Sequence, residues 1–315
     1  MNSRTANFSE INSTKANFDA IYTNPDPREY YRVLGGLDYV IPDLAKTPFR
    51  AIAKALRDIR KQRLKIADIG CSYGINAALL RYPLDIQRLA SRYVRREMQS
   101  IDPGTLVELD KNYFRSWPLQ NDDMFIGIDT AKEAIRYALH AGLIDGAVTT
   151  NLEEADPTPE EVPLLRGLNL IISTGCVGYT TENTLRRILR LHRSGSPPPW
   201  VANLVLRMFP YEKIAEELSS FDLVTEKLEG VTFVQRRFHS REEYESTIGA
   251  LEKRGIDPAG KEADGLFHAE LYVSRPRKEA EQCRLSDLIS VTSGAGRRYG
   301  RRYIRGEQGL VKLMH

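Results

Sequence analysis

Lys65-Ile66-Ala67-Asp68-Ile69-Gly70-Cys71-Ser72-Tyr73-Gly74 runs from an apolar strand into a glycine-bearing turn, and the residues that follow, Ile75 to Leu80, suit a helix. A strand that ends in glycines where the chain swings into a helix lets the backbone approach a ligand closely. A dinucleotide fingerprint needs glycines at positions 70, 72 and 75, but Ser72 and Ile75 occupy the last two, which disfavours a dehydrogenase. A plain structural turn would look the same in isolation, so the neighbouring segments decide its meaning.

Working outward, Met124 to Ile128 is a second apolar run, ending at Asp129, with Ala134, Ile135, Ala138 and Leu139 spaced as a helix behind it and Gly142 placed to stop that helix. Ala147 to Thr150 reads as a third strand before an acidic, Pro-containing loop. Leu168 to Ser173 is the fourth strand, with Leu185, Ile188 and Leu189 marking its helix. Trp200 to Leu206 is the fifth, and Pro210 opens a helix with Tyr211, Ile214, Ala215 and Leu218 inward. Strand and helix in strict alternation imply a mostly parallel sheet covered on both faces. The pattern changes at Thr232 to Phe238 and Phe267 to Ser274, two late strands with a helix (Tyr244, Ile248, Leu251) between them. Upstream of the glycine turn, Thr47 and Pro48 read as cap and first residue of a helix carrying Phe49, Ile52, Leu56 and Ile59 on one face. Arg81 to Asp123 is too long for a simple connection and has its own helical pattern (Ile86, Leu89, Tyr93), so an inserted helical cap is expected.

Asp68-x-Gly70-x-Ser72-x-Gly74 after an apolar strand resembles the first motif of the class I S-adenosyl-L-methionine-dependent methyltransferases, with Ser at the usual middle glycine. The resemblance covers about Lys65 to Arg275 less the insertion. It implies an α/β fold: a seven-stranded, mostly parallel Rossmann-like sheet with one antiparallel strand, helices on both faces and the helical insertion. Phe267 to Ser274 would be the antiparallel strand between strands five and six. It also implies S-adenosyl-L-methionine as cofactor, S-adenosyl-L-homocysteine as product, and cofactor contacts from Asp68, Gly70, Cys71, Ser72, Gly74, Asp129, Thr130, Asn151, Leu152 and Thr174. Asp129 stands where that family holds the ribose, since a carboxylate there accepts from both hydroxyls. Asn151 and Leu152 stand where it meets adenine, and Ser173 to Tyr179 where it flanks the methyl group. Tyr179 and His268 are the catalytic candidates. Tyr22, Tyr30 and Tyr31 are expected to fold over the site as a lid or substrate wall.

The 315 residues, 42% hydrophobic and 28% charged, fit a globular protein. No run approaches the roughly 18 to 20 apolar residues of a membrane span, and the polar first thirty residues lack a signal-peptide core, so the cytoplasm is the expected compartment. Cys71, Cys176 and Cys283 are too few and too far apart for a disulfide framework or thiolate metal site, and no metal is expected. From Arg277 to His315 nine Lys or Arg face four acids, so of the net +3 the tail carries +5 and residues 1–276 carry −2. The chain is therefore divided into an N-terminal lid and helical segment (1–63), a methyltransferase domain (64–276, insertion about 81–123) and a basic tail (277–315). Arg297-Arg298-Tyr299-Gly300-Arg301-Arg302-Tyr303 could grip phosphates, dock on the chain itself or bind an acidic peptide. The Asn-Pro-Pro-Tyr type of motif used on base amino groups is missing after the fourth strand, so nucleic acid is not the expected partner; the reading allows a homodimer. The expected activity is methyl transfer to an oxygen or nitrogen of a small molecule or small peptide, plausibly in specialised metabolism. One alternative is a peptide or protein carboxyl methyltransferase that recruits its acceptor with the tail. Another, of a different class, is a non-catalytic protein that binds the cofactor and acts by association.

Overall fold

The computed structural model describes residues 18–192 and 195–289, together with the backbone of two short strands at 302–305 and 311–314. In chain order the elements are α1 (Asp19–Tyr22), α2 (Arg28–Gly35), α3 (Ile41–Arg60), β1 (Lys65–Ile69), α4 (Ile75–Arg81), α5 (Ile86–Tyr93), α6 (Arg96–Gln99), α7 (Pro103–Arg115), β2 (Met124–Ile128), α8 (Lys132–His140), β3 (Gly146–Val148) and α9 (Val162–Leu165). There follow β4 (Leu170–Thr174), α10 (Glu182–Leu189), β5 (Trp200–Leu206), α11 (Glu212–Ser219), β6 (Leu223–Lys227), β7 (Phe233–Arg237), α12 (Arg241–Lys253), β8 (Leu266–Pro276), α13 (Arg277–Gln282), α14 (Leu285–Leu288) and the hairpin β9 (Arg302–Arg305) and β10 (Val311–Met314). Of the arginine- and tyrosine-rich tail motif, Arg297 to Arg301 lie outside the described residues.

The main sheet has the order β3-β2-β1-β4-β5-β8-β6. The first five strands in that order are mutually parallel. Only β8 is reversed, and it pairs antiparallel with β5 along one edge. Its other edge is shared: β6 takes the Tyr272–Pro276 end and β7 takes the Leu266–Ala269 end. The single reversed strand between β5 and β6 agrees with the expected topology. The strand count does not. Eight strands replace the expected seven because β6, Leu-Val-Thr-Glu-Lys, is a half-exposed edge strand with only Leu223 buried, too polar to stand out in the sequence. Thr232 to Phe238 is thus the additional strand, not the sixth.

A second correction concerns α3. It begins at Ile41, with Pro42 in its first turn, and Pro48 lies inside it. The missing Pro48 donor falls opposite the carbonyl of Leu44, whose side chain is 40% exposed, where water can serve that carbonyl. Ile41, Ala45, Phe49, Ile52 and Leu56 then form one continuous buried stripe against the sheet.

Two apolar cores result. One is the sheet with its covering helices, centred on β1, β4 and β5. The other joins the N-terminal segment to the inserted helices α5–α7 through a run of aromatic rings, Tyr30, Tyr31, Tyr73, Tyr93 and Tyr137 among them. Asp110 of α7, fully buried, accepts from the Tyr93 and Tyr137 hydroxyls at 2.9 and 2.8 Å and from Arg92 at 2.8 Å, so the charge of this inserted carboxylate is compensated. Arg28 donates to the carbonyls of Met98 and Ile101, both at 2.9 Å, which ties α2 to the insertion.

Candidate functional site

At the carboxyl ends of β1, β2 and β4 the chain encloses a cavity of about 640 Å³. This lies in the range of small-molecule sites and in the usual place for an open α/β sheet. Its floor is the glycine turn. Gly70, Ser72 and Gly74 have φ of 72°, 50° and 76°, three left-handed residues in five. A Cβ on Gly70 would lie 2.1 Å from Cys176 Sγ, so glycine is required by the approach of the β1 and β4 exits as well as by its φ. Ser72 adopts at a steric cost the conformation that a middle glycine would take freely. Gly74 lies behind the cavity wall, where a Cβ would come within 3.1 Å of Ala138 and Leu143.

Asp129 closes one side of the floor. Its Oδ2 accepts from Ser72 N at 2.8 Å and its Oδ1 from Ala131 N at 2.9 Å, which locks the carboxylate across the turn. A carboxylate has about four acceptor sites. These amides, with that of Thr130, leave part of that capacity unused, and Asp129 lines the cavity. Burial raises its pKa, while amide bonds from Ala131, Ser72 and Thr130 oppose the rise.

On the opposite side Asn76, in the first turn of α4, donates through Nδ2 to Asp68 Oδ1 at 3.0 Å and to Thr174 Oγ1 at 3.1 Å. Asp68 itself sits beneath the floor, fully buried, and its Oδ2 has no hydrogen-bond partner. Burial pushes its pKa up to about 7, with the Asn76 bond opposing and the Asp129 charge adding to the rise. Asp68 does not itself line the cavity, so its unpaired oxygen lies one layer below the floor.

Of the residues singled out in the sequence, Gly70, Cys71, Ser72, Asp129, Thr130, Asn151, Leu152, Thr174, Tyr22, Tyr30 and Tyr179 line the cavity together. Tyr31 does not. It stacks on Tyr93 at 4.8 Å and 9° in the second core, so its ring anchors the N-terminal segment. His268 does not line it either: it lies on β8, with Nδ1 2.9 Å from Thr232 Oγ1, and burial lowers its pKa to about 4. A ring so placed does not reach the reacting side of the cavity. The sequence reading missed Asn76, Tyr39, Phe18, Gln235 and Arg236, all of them cavity residues. Asn76 lies in the turn of helix directly after the glycine motif and was open to notice; Gln235 and Arg236 reach the site only through the fold.

The roof is the N-terminal segment. Tyr73, within the glycine turn, bonds through its hydroxyl to the carbonyls of Ile21 and Asn24 at 2.7 and 2.9 Å, joining floor to roof. Val40 N donates to Gln235 O at 2.9 Å and Arg237 N to Leu37 O at 2.8 Å, so β7 carries the other end of this segment.

No family model matches the chain, and no curated protein matches it. Among solved structures, the plantazolicin methyltransferase BamL in complex with a triazolic desmethylPZN analog and SAH is 12% identical, covering 86% of this chain and 100% of its own, with a TM-score of 0.40. Magnesium protoporphyrin IX methyltransferase (ChlM) from Synechocystis PCC 6803 with bound SAM is 10% identical, covering 87% and 100%, with a TM-score of 0.38. Precorrin-6y C5,15-methyltransferase from Geobacter metallireducens GS-15 is 11% identical, covering 72% and 87%, with a TM-score of 0.34. Likenesses of this strength identify neither a reaction nor an acceptor. The chain's own strand order, with β8 alone reversed between β5 and β6 and a glycine turn at the end of β1, is the Rossmann-like arrangement expected from the sequence.

Proposed function

We propose that the chain is a methyltransferase that uses S-adenosyl-L-methionine and releases S-adenosyl-L-homocysteine, acting on an oxygen or nitrogen of a small molecule or small peptide. The observation that carries this reading is the junction of Ser72 N with Asp129 Oδ2 at 2.8 Å. It sets an acceptor-rich carboxylate directly across a glycine turn that a Cβ would block at Gly70.

The residues present fit that cofactor. Asp129 has acceptor capacity for a ribose diol, and Thr130, Asn151 and Leu152 extend the same wall. Asp68 offers an orphan buried oxygen for an ammonium group, with Asn76 and Thr174 beside it. The cofactor supplies a sulfonium methyl whose leaving group is a neutral thioether. What remains for the protein is to hold an acceptor in line at about 3 to 3.5 Å and to exclude water. The aromatic roof, Phe18, Tyr22, Tyr30 and Tyr39, serves the exclusion, and half-exposed Tyr179 stands at the mouth on the acceptor's side.

Proton handling follows from the lining. None of the cavity residues is a histidine. Glu153 is occupied by the Thr181 and Thr184 amides and hydroxyls. Burial raises the Tyr22 phenol and pushes that of Tyr39 up to about 12, so neither acts as a base near neutral pH. An acceptor that enters as its own nucleophile, such as a neutral amine, needs no base from these groups. The test is incubation with methyl-labelled S-adenosyl-L-methionine and a fractionated extract. Label in a small organic product with matching S-adenosyl-L-homocysteine supports the reading; label confined to macromolecules transfers it to the protein-modifying alternative.

A further inference from the structure

The extra strand β7 carries an irregularity beside the cavity. Val234 pairs with His268 and Arg237 with Leu266, three steps on β7 against two on β8, so one residue is bulged. In a regular strand Gln235 and Arg236 would face opposite sides of the sheet. The bulge turns both toward the cavity, and both line it.

They differ in what they have left to offer. Arg236 donates twice to Glu243, at 2.9 and 2.6 Å, and its guanidinium lies 5.1 Å from the Phe18 ring and 4.8 Å from the Phe267 ring, so its charge is matched inside the protein. Gln235 is only 7% exposed, its backbone carbonyl is held by Val40 N, and its side-chain amide makes no hydrogen bond among the described residues. The amide lies over Gly175, where a Cβ would come within 2.2 Å of Nε2. Gly175 directly follows β4 and has φ 75°, so the chain leaves a slot there that the Gln235 amide fills. The Gln235 amide atoms are not among the fully buried unpartnered ones, so the amide keeps some surface open to the cavity, where a ligand can pair with it.

We propose that Gln235 is the acceptor-reading residue of this site and that the group it reads is a carboxamide with N–H and C=O on one edge, of the primary-amide or lactam type. The Gln235 carboxamide offers one donor and one acceptor side by side, and a group that presents its own N–H and C=O on one edge, as a primary amide or a lactam does, complements both. A carboxylate would satisfy only Nε2 and set its charge against Oε1, with the Arg236 cation already matched by Glu243; an ammonium would satisfy only Oε1. The rings of Tyr22, Tyr39 and Tyr179 line the same cavity and suit a planar or aromatic group next to that amide. This inference rests on the methyltransferase reading and narrows its acceptor.

The test uses the full chain saturated with S-adenosyl-L-homocysteine and three probes measured by calorimetry: 3-(4-hydroxyphenyl)propanamide, the corresponding methyl ester and the free acid. The amide should bind about ten-fold more tightly than the ester or the acid, the scale of one unpaired buried polar group. Gln235→Leu should bring the amide down to the level of the ester while S-adenosyl-L-homocysteine affinity is unchanged. If Gln235→Leu loses that affinity through misfolding, the longer-chain Gln235→Met serves as the apolar replacement. Equal binding of amide and ester by the wild type, no binding of any probe, or an amide preference that survives the substitution overturns the proposal. Failure of the wild type to bind S-adenosyl-L-homocysteine instead overturns the cofactor reading beneath it.

Discussion

Asp68 makes a quantitative prediction about pH. Its pKa rises from the ordinary 3.8 to about 7 on folding because burial disfavours the charged form. Between those values the folded protein holds a proton that the unfolded chain has released, so stability falls as pH rises from about 4 to about 7. At 1.36 kcal/mol per pH unit, a shift of about three units corresponds to about 4 kcal/mol across that window. His268 works in the opposite sense. Its pKa falls from 6.5 to about 4, so its contribution is complete above pH 6.5 and is lost as pH falls toward 4. That is worth about 3 kcal/mol. The two nearly cancel in a single wild-type curve, so the informative quantity is a difference. Chemical denaturation of wild type and Asp68→Asn between pH 4 and 8 should give curves that diverge, with the wild type losing about 4 kcal/mol relative to the variant by pH 7 or just above. A difference independent of pH would refute the assignment of a buried, partly protonated carboxylate. A cationic ligand group that pairs with Asp68 Oδ2 favours the carboxylate, so affinity should tighten as pH rises through about 7 and flatten in Asp68→Asn.

Further expectations concern the turn and the roof. Gly70→Ala places a methyl group 2.1 Å from Cys176 Sγ at φ 72°, and should destabilise by about 2 to 4 kcal/mol from overpacking plus left-handed strain, read by thermal melting. Shortening the neighbour with Cys176→Ala should recover part of the loss. Tyr73→Phe removes the hydroxyl shared by the carbonyls of Ile21 and Asn24 and should cost about 1 to 2 kcal/mol. Limited proteolysis should then cut sooner before Arg28, and an unchanged cleavage pattern would show that this bond does not hold the roof. His268→Gln should leave methyl transfer unchanged, because His268 lies outside the cavity lining, and a large loss would return it to the site.

Much of the fold was legible in the sequence because buried parallel strands are apolar along their whole length. Met124–Ile128 and Trp200–Leu206 have the bounds that their apolar runs suggest. The strand at 223–227 was not legible, since its order comes from pairing with β8 and its side chains are mostly half-buried. The start of α3 was misread because Pro48 is a stronger local signal than Pro42, and only tertiary packing of Ile41 and Ala45 reveals the longer helix. At the site, the floor was legible because it is local: a turn, a strand-end acid and the first residues of the next loops. The wall from β7 was not, because a bulge set by long-range pairing turns Gln235 and Arg236 inward. Tyr31 and His268 show the converse limit, residues of the right chemistry whose neighbours in space, Tyr93 and Thr232, give them other work.

Among the described residues no helix is long and apolar enough to cross a membrane, and no group of three or more His, Cys, Asp or Glu could hold a metal ion. The proposed function rests on the pocket at the ends of β1, β2 and β4. Its most direct test is calorimetry of the full chain with S-adenosyl-L-homocysteine, wild type against Asp129→Ala. The wild type should bind at micromolar or tighter affinity and the variant should lose at least about 100-fold, the scale expected when a buried, charge-assisted contact to ligand hydroxyls is removed. Absence of binding by the folded wild type, or equal binding by Asp129→Ala, would contradict it.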